Sequence, residues 1–315
     1  MQPKVGLIVQ INIFDFAQKV KAISDEMMLV PLQAQRPIKA WEKRAGDFVT
    51  EIDLAMDKAI HRLLIDTFNV PVLSEEGAKN PYIVPDCSNI PWLWIADPVD
   101  GTGNMLKGGN QYSCMVALAH YGNPVAAVIY QPPTGRLAVA ELGAGTYLNG
   151  QRVSLEQHPR SLLGVRGIVG SNDLPPHLAM LCERSRASFA HLGSTRACGN
   201  DYLNILAGQL DFSLFLRTFP WDHAPGHLLV NEAGGRSDSW RAGRSYSCAD
   251  SLSGILSASP VIFEQVRQKL QLASQPELTD QHVASLFERK KIEYARLAEA
   301  SPPPAQYILP PKIQP

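Results

Sequence analysis

Trp94-Ile95-Ala96-Asp97-Pro98-Val99-Asp100-Gly101-Thr102-Gly103-Asn104 is the stretch on which the fold turns. The apolar run from Trp92 to Ala96 reads as a short buried strand. Pro98 has no N–H to give to a sheet ladder, so the strand is predicted to end before it. Asp97 then stands at a strand end, and Asp100 on the turn that follows. Carboxylates converging on one tight turn repel each other unless a cation sits between them. At Gly101-Thr102 a helix can start, where unpaired backbone N–H groups face outward and suit a phosphate. Hard oxygen ligands beside an anion cradle are what metal-assisted hydrolysis of a phosphate ester needs.

Three further stretches carry acids. In Gly46-Asp47-Phe48-Val49-Thr50-Glu51-Ile52-Asp53, Thr50 and Asp53 form a capping pair for a helix whose buried face is Ile52, Met56, Ala59, Ile60, Leu63 and Leu64. Taken alone, these acids only cap that helix and complement its dipole. Pro71-Val72-Leu73-Ser74 reads as a strand ending in Glu75-Glu76. Adjacent strand residues point to opposite faces, so one of the pair, Glu75, is expected to enter a site. Far downstream, Phe219-Pro220-Trp221-Asp222 opens a helix that ends at Gly234-Gly235, a plausible C-cap. Pro225 is placed in the first turn of that helix, where proline is tolerated. His223 and His227 share one of its faces, but the Glu of an H-E-x-x-H zinc motif is absent, so a structural or solvent-facing role is preferred.

Elsewhere the spacing predicts an amphipathic helix from about Ile11 to Leu32 and an exposed basic segment from Arg36 to Arg44. Residues 112–155 read as an antiparallel meander, with Gly122-Asn123-Pro124, Thr134-Gly135 and Asn149-Gly150 as its turns. Strands follow at Gly164–Gly170, Phe189–His191, Phe212–Leu216 and Ile255–Ala258, and helices at Pro175–Arg186, Asn200–Gly208 and Pro260–Leu272. A charged helix is expected from Asp280 to Ala300, and the tail Pro302–Pro315 is too Pro-rich for helix or sheet, reading as disorder or an arm that docks on a neighbour.

Composition sets the class. With 45% apolar and 19% charged residues in 315, a large core is expected and disorder is not. A net charge of −1 with no Lys/Arg run argues against a nucleic-acid polymer as partner. Cys87, Cys114, Cys182, Cys198 and Cys248 are scattered, so reduced thiols in a cytoplasmic protein are expected. Neither a signal peptide nor a membrane span is visible, and no G-x-G-x-x-G follows a strand.

Taken together, Asp47-x-Val49-Thr50-x-x-Asp53, Glu75-Glu76, Asp97-Pro98-Val99-Asp100-Gly101-Thr102-x-Asn104 and Trp221-Asp222-x-Ala224 resemble the inositol monophosphatase family over about residues 10–270. The resemblance implies an α+β fold, a layered αβαβα sandwich shared with fructose-1,6-bisphosphatases. It places a phosphatase domain of two packed lobes in residues 1–272 and a C-terminal helix and Pro-rich tail in 273–315. It implies a Mg²⁺-dependent, lithium-sensitive phosphomonoesterase acting on a small phosphorylated metabolite, commonly as a homodimer and without a phosphoenzyme. Glu75, Asp97 and the Val99 carbonyl would hold one Mg²⁺; Asp97, Asp100 and Asp222 a second; Glu75 would help a third, weaker ion. The Gly101 and Thr102 amides would bind phosphate beside Asp100, and Thr102 paired with Asp47 would orient the attacking water. Gly193, Ser194, Thr195 and Arg196 join the substrate side.

The chain departs from the family pattern at Ser74, Met105 and Pro225, and most on the substrate side. Where inositol-directed members carry a Glu that bonds ring hydroxyls, this chain has Phe215, flanked by Leu214 and Leu216. Thr195-Arg196 replaces a pair of small residues, and Arg196 or Arg217 is a candidate to engage a second anionic group. Histidinol phosphate, fructose 1,6-bisphosphate and adenosine 3′,5′-bisphosphate are therefore alternatives to inositol 1-phosphate. Phe215 and Phe219 are the candidates to stack on a base. A catalytically weak binding or regulatory relative is the rival from another class.

Overall fold

The computed structural model describes residues 11–29, 38–44, 47–78, 85–155, 162–170, 176–241, 245–249, 254–272, 285, 288–292 and 305–307. In chain order the elements are α1 (Ile13–Ser24), β1 (Ile38–Arg44), β2 (Asp47–Thr50), α2 (Glu51–Thr67), β3 (Val72–Ser74), β4 (Trp92–Asp100) and α3 (Thr102–Leu106). The meander follows as β5 (Ser113–His120), β6 (Asn123–Gln131), β7 (Arg136–Glu141), β8 (Gly145–Leu148) and β9 (Gln151–Val153). Then come β10 (Arg166–Val169), α4 (Pro176–Ser185), β11 (His191–Gly193), α5 (Cys198–Leu206), β12 (Phe212–Phe215) and α6 (Pro220–Glu232). The last are β13 (Arg236–Asp238), β14 (Ile255–Ala258), α7 (Pro260–Lys269) and β15 (Ala305–Tyr307).

Strands β3 to β9 form a seven-stranded sheet in sequence order. A five-stranded sheet runs β11-β10-β12-β14-β13. Along β4, Trp94 and Ala96 join a core with Phe16 and Val20 of α1 and Met56 and Ile60 of α2. Leu93 and Ile95 point the other way, into a core with Leu214, Trp221 and Leu256. Both faces of the sheet are thus covered, which is why β4 reads as an unbroken apolar run. Tyr202, Leu203 and Leu206 of α5 and Leu228 and Leu229 of α6 pack on Met115, Ala127 and Ile129. Leu178 of α4 and Ile262, Phe263 and Val266 of α7 cover the five-stranded sheet. The layers are α1/α2, seven strands, α5/α6, five strands and α4/α7: the expected αβαβα order. All five cysteines are free.

Several local expectations need correction. Pro98 does not end the strand; β4 runs on to Asp100. Its register against β5 shifts between Asp97, opposite Met115, and Asp100, opposite Ser113. That bulge supplies the place where a missing N–H does no harm. Residues 38–44 are a strand rather than an exposed basic segment, with Ile38 and Ala40 buried. α1 stops at Ser24 and a π turn, Asp25–Leu29, follows; residues 30–37 lie outside the described residues. α6 starts at Pro220, so Pro225 sits inside the helix rather than in its first turn. The tail is not wholly irregular: β15 pairs antiparallel with Ile38, Lys39 and Ala40 of its own chain's β1. Of the charged helix expected from Asp280 to Ala300, residues 285 and 288–292 are described and helical; the rest lies outside the described residues.

Candidate active site

The bulge in β4 makes the site. In a regular strand, residues three apart point to opposite faces. One extra residue between Asp97 and Asp100 corrects the phase, and both carboxylates line one cavity of about 640 Å³. β3 runs parallel to β4 with Ser74 opposite Ala96, and the Glu75 N–H donates to the Ala96 carbonyl at 3.1 Å. Glu75 therefore emerges beside Asp97. Asp222 arrives from the first turn of α6. Carboxylate oxygens of Glu75, Asp97 and Asp222 lie within 4.8 Å of one another.

Asp100 is committed differently. Its carboxylate accepts from the Cys198 and Gly199 N–H groups at 3.1 and 2.7 Å, and from Ser113 Oγ at 3.3 Å, and so anchors the start of α5. The Val99 carbonyl lies on the same turn, 3.0 Å from Thr102 Oγ1. Gly101 has φ +89°, and a Cβ there would stand 2.5 Å from the Gln111 carbonyl oxygen. No other residue fits this turn without strain. It opens α3 at Thr102 and leaves the Gly101–Thr102 edge lining the cavity.

The electrostatics are those of crowded acids. Asp97 is held well above the usual carboxylate range by burial first, then by the charges of Glu75, Asp100 and Asp222. Burial pushes Asp100 to about 7 against its amide hydrogen bonds. Glu76 turns to Lys43, whose Nζ lies 2.8 Å from it and 3.4 Å from Glu75; burial still pushes Glu76 to about 8.

The Thr102 hydroxyl donates to Asp53 Oδ1 at 2.5 Å; Asp47, the partner expected for it, lies in β2 with its side chain outside those described. Asp53 is 1% exposed, closes the capping box with Thr50, and is pushed to about 6 by burial. The pairing assigned to Asp47 is made by Asp53.

On the substrate side, Ser194 and Arg196 line the cavity with Ala197 and Cys198. Gly193 and Thr195 are not among its lining residues. Gly193 is held in β11, and Thr195 spends its hydroxyl on Asp201 at 2.5 Å and its carbonyl on Asn104 Nδ2 at 3.0 Å. Phe48, Lys107, Phe215, Arg217 and Phe219 complete the wall. Cys198, Asp222 and His223 also bring ligand atoms within 4.8 Å. Both His223 ring nitrogens are already used, by Tyr202 Oη at 2.9 Å and the Arg217 carbonyl at 3.0 Å. Burial pushes His223 down to about 3, so its role is structural, as the missing zinc motif suggested. Lys43 carries no signal of its own in the sequence, since only the pairing of β1 with β2 brings that basic segment to the acids, and for Asp53 the capping box accounts for the residue without a distant partner.

The comparisons agree with this geometry. A family model described as "Inositol monophosphatase family" matches residues 10–288. The fructose-1,6-bisphosphatase/inositol-1-monophosphatase of Thermotoga maritima is 31% identical over 202 residues, 62% of this chain and 73% of that protein. The Nus factor SuhB of Pasteurella multocida is 29% identical over 237 residues, 73% of this chain and 84% of that protein. Among solved structures, the extragenic suppressor protein suhB of Bartonella henselae superposes with a TM-score of 0.70 at 24% identity, covering 82% of this chain and 98% of that one.

Proposed function

From the premise that this chain belongs to the inositol monophosphatase family, we propose that it is a Mg²⁺-dependent, lithium-sensitive phosphomonoesterase of a small phosphorylated metabolite. One observation carries the reading: Glu75, Asp97 and Asp222 converge within 4.8 Å, against the Gly101–Thr102 turn. The donors fit Mg²⁺, since all are hard oxygens. The upward push that neighbouring charges give Asp97 marks a site that lacks positive charge. Glu75, Asp97, the Val99 carbonyl, Asp100 and Asp222 would hold the ions. When bound, Mg²⁺ supplies Lewis acidity to the phosphoryl group and eases proton loss from water.

The chain's own residues do the rest. The Gly101 and Thr102 amides hold phosphate oxygens and orient phosphorus. The Thr102 hydroxyl, fixed by its hydrogen bond to Asp53, positions the attacking water. None of these roles needs a Cys or His nucleophile. The reading is tested by phosphate release from inositol 1-phosphate, histidinol phosphate, fructose 1,6-bisphosphate and adenosine 3′,5′-bisphosphate, with Mg²⁺ and with EDTA. Turnover of one far above the others, abolished by EDTA, supports it and names the substrate class. No turnover of any favours the binding-protein rival.

Within this reading, a non-inositol substrate is favoured by Phe215, which lines the cavity where a partner for ring hydroxyls would be needed. A pocket with no polar partner discriminates weakly among hydroxylated rings.

A further inference from the structure

Arg196, Arg217 and Lys107 share the cavity with Glu75, Asp97 and Asp222. The acids are buried or half-buried, whereas Arg196 and Lys107 are exposed, so these cations lie towards the mouth. The half-buried Arg217 guanidinium sits 4.5 Å from the centre of the Phe219 ring. Among the described residues, neither Arg196 nor Lys107 has an ion-pair partner.

Arg196 is presented by a turn built to hold it. Its φ is +58°, a conformation that side-chain-bearing residues rarely adopt. The turn is pinned on both sides. Asn104 holds the Thr195 carbonyl at 3.0 Å, Asp201 takes the Thr195 hydroxyl, and the Ala197 N–H returns to Thr195 Oγ1 at 3.3 Å. The next two amides are held by Asp100. A Cβ on Gly101 would lie 3.1 Å from the Ala197 Cβ, so the turn rests against the phosphate cradle. The neighbouring polar groups are thus spent inside the protein, while the Arg196 side chain faces the cavity. Strain kept in place by so many contacts is a mark of function rather than of packing. Phe215 and Phe219 line the same cavity, and their rings give a substrate's body no polar anchor.

We propose that Arg196, with Lys107 and Arg217 of the same cavity wall, forms a subsite for a second phosphate, and that the preferred substrates are phosphomonoesters carrying one. The proposal rests on the phosphomonoesterase reading above. A planar guanidinium fork is suited to a phosphate and gives little to a hydroxyl-bearing ring alone.

The test uses matched pairs with Mg²⁺: adenosine 3′,5′-bisphosphate against adenosine 3′-monophosphate, and fructose 1,6-bisphosphate against fructose 1-phosphate. In at least one pair the wild type should prefer the bisphosphate by about ten-fold or more in kcat/KM, mainly through KM. Arg196→Gly, which relieves the positive φ, should bring that ratio to within about two-fold of unity, and Arg196→Lys should fall between. A wild-type ratio near one in both pairs overturns the proposal. So does an Arg196→Gly variant that loses both members of a pair equally. If no phosphomonoester is hydrolysed, the phosphatase reading fails on its own. Calorimetric titration of adenosine 3′,5′-bisphosphate with Mg²⁺ then decides the subsite. Binding that is lost in Arg196→Gly upholds it; binding equal in both proteins, or absent from both, overturns it.

Discussion

Glu75, Asp97 and Asp100 stand at the ends of two neighbouring strands of one sheet, locked by ladder hydrogen bonds. Across the cavity, Arg196 and Phe215 come from a strained turn and a strand of the other sheet, about a hundred residues later. The first side is self-repelling: burial and like charge push Asp97 and Asp100 upward. On the second side the frame behind Arg196 and Phe215 is held by hydrogen bonds of its own. His223 hydrogen-bonds through both ring nitrogens, and Trp240 Nε1 donates to the Phe215 carbonyl at 2.8 Å. The difference separates two jobs. The acid side carries a repulsion that a cation would relieve; on the function proposed above it serves the chemistry, and the other side, a hydrogen-bonded wall, selects what enters.

The largest expected effect lies on the acid side. Asp97→Asn should lower kcat by about 10³-fold or more, while raising the thermal midpoint of the metal-free protein, because one repelling charge is gone. Activity near wild type, or a lower midpoint, breaks the contrast between the two sides. Next, Asp53→Asn should cost about 10²-fold in kcat, at least ten-fold more than Asp47→Asn. The reverse order in a side-by-side assay would restore Asp47 as the partner of Thr102.

A pH series sharpens the comparison further. Asp53 at about 6, Asp100 at about 7 and Glu76 at about 8 all lie above their unfolded values. The folded state thus binds these protons more tightly, and their contribution to stability is lost as pH rises through that window. His223 at about 3 has the opposite sign and loses its contribution only as pH falls below about 6.5. Between about pH 6.5 and 8.5 the metal-free midpoint should therefore fall, and Mg²⁺ should cancel much of that fall. A flat metal-free profile would show that the acids are not strained. The smallest effect is expected opposite them. Tyr202→Phe removes the hydroxyl that donates to His223 Nδ1 and should cost about 1 kcal/mol in denaturant unfolding, with kcat little changed.

The convergence of Glu75, Asp97 and Asp222 on one cavity was legible in the sequence because residue type and spacing limit what such acids can do. The meander could be read because its turns need special residues: Asn149 and Gly150 have φ of +50° and +78°, as a tight hairpin requires. What escaped depends on distant partners. Pro98 inside β4 is intelligible only from the bulge against β5. Asp53 looked complete as a cap because its second oxygen meets Thr102, 49 residues away. Lys43 joins the acids because β1 and β2 pair, which a basic segment does not announce. The edge strand Arg236–Asp238 has only three residues, too few for a period to show.

The most direct test of the central claim, that the acid cluster holds the ions that drive phosphate release, is a titration of turnover. Phosphate release from the best substrate of the panel would be followed against Mg²⁺ concentration for the wild type and for Asp97→Asn. The account predicts saturable activation of the wild type, full loss with EDTA, and no recovery of Asp97→Asn by Mg²⁺ at any concentration. Metal-independent release by the wild type, or an Asp97→Asn variant that Mg²⁺ activates as well as the wild type, would contradict it.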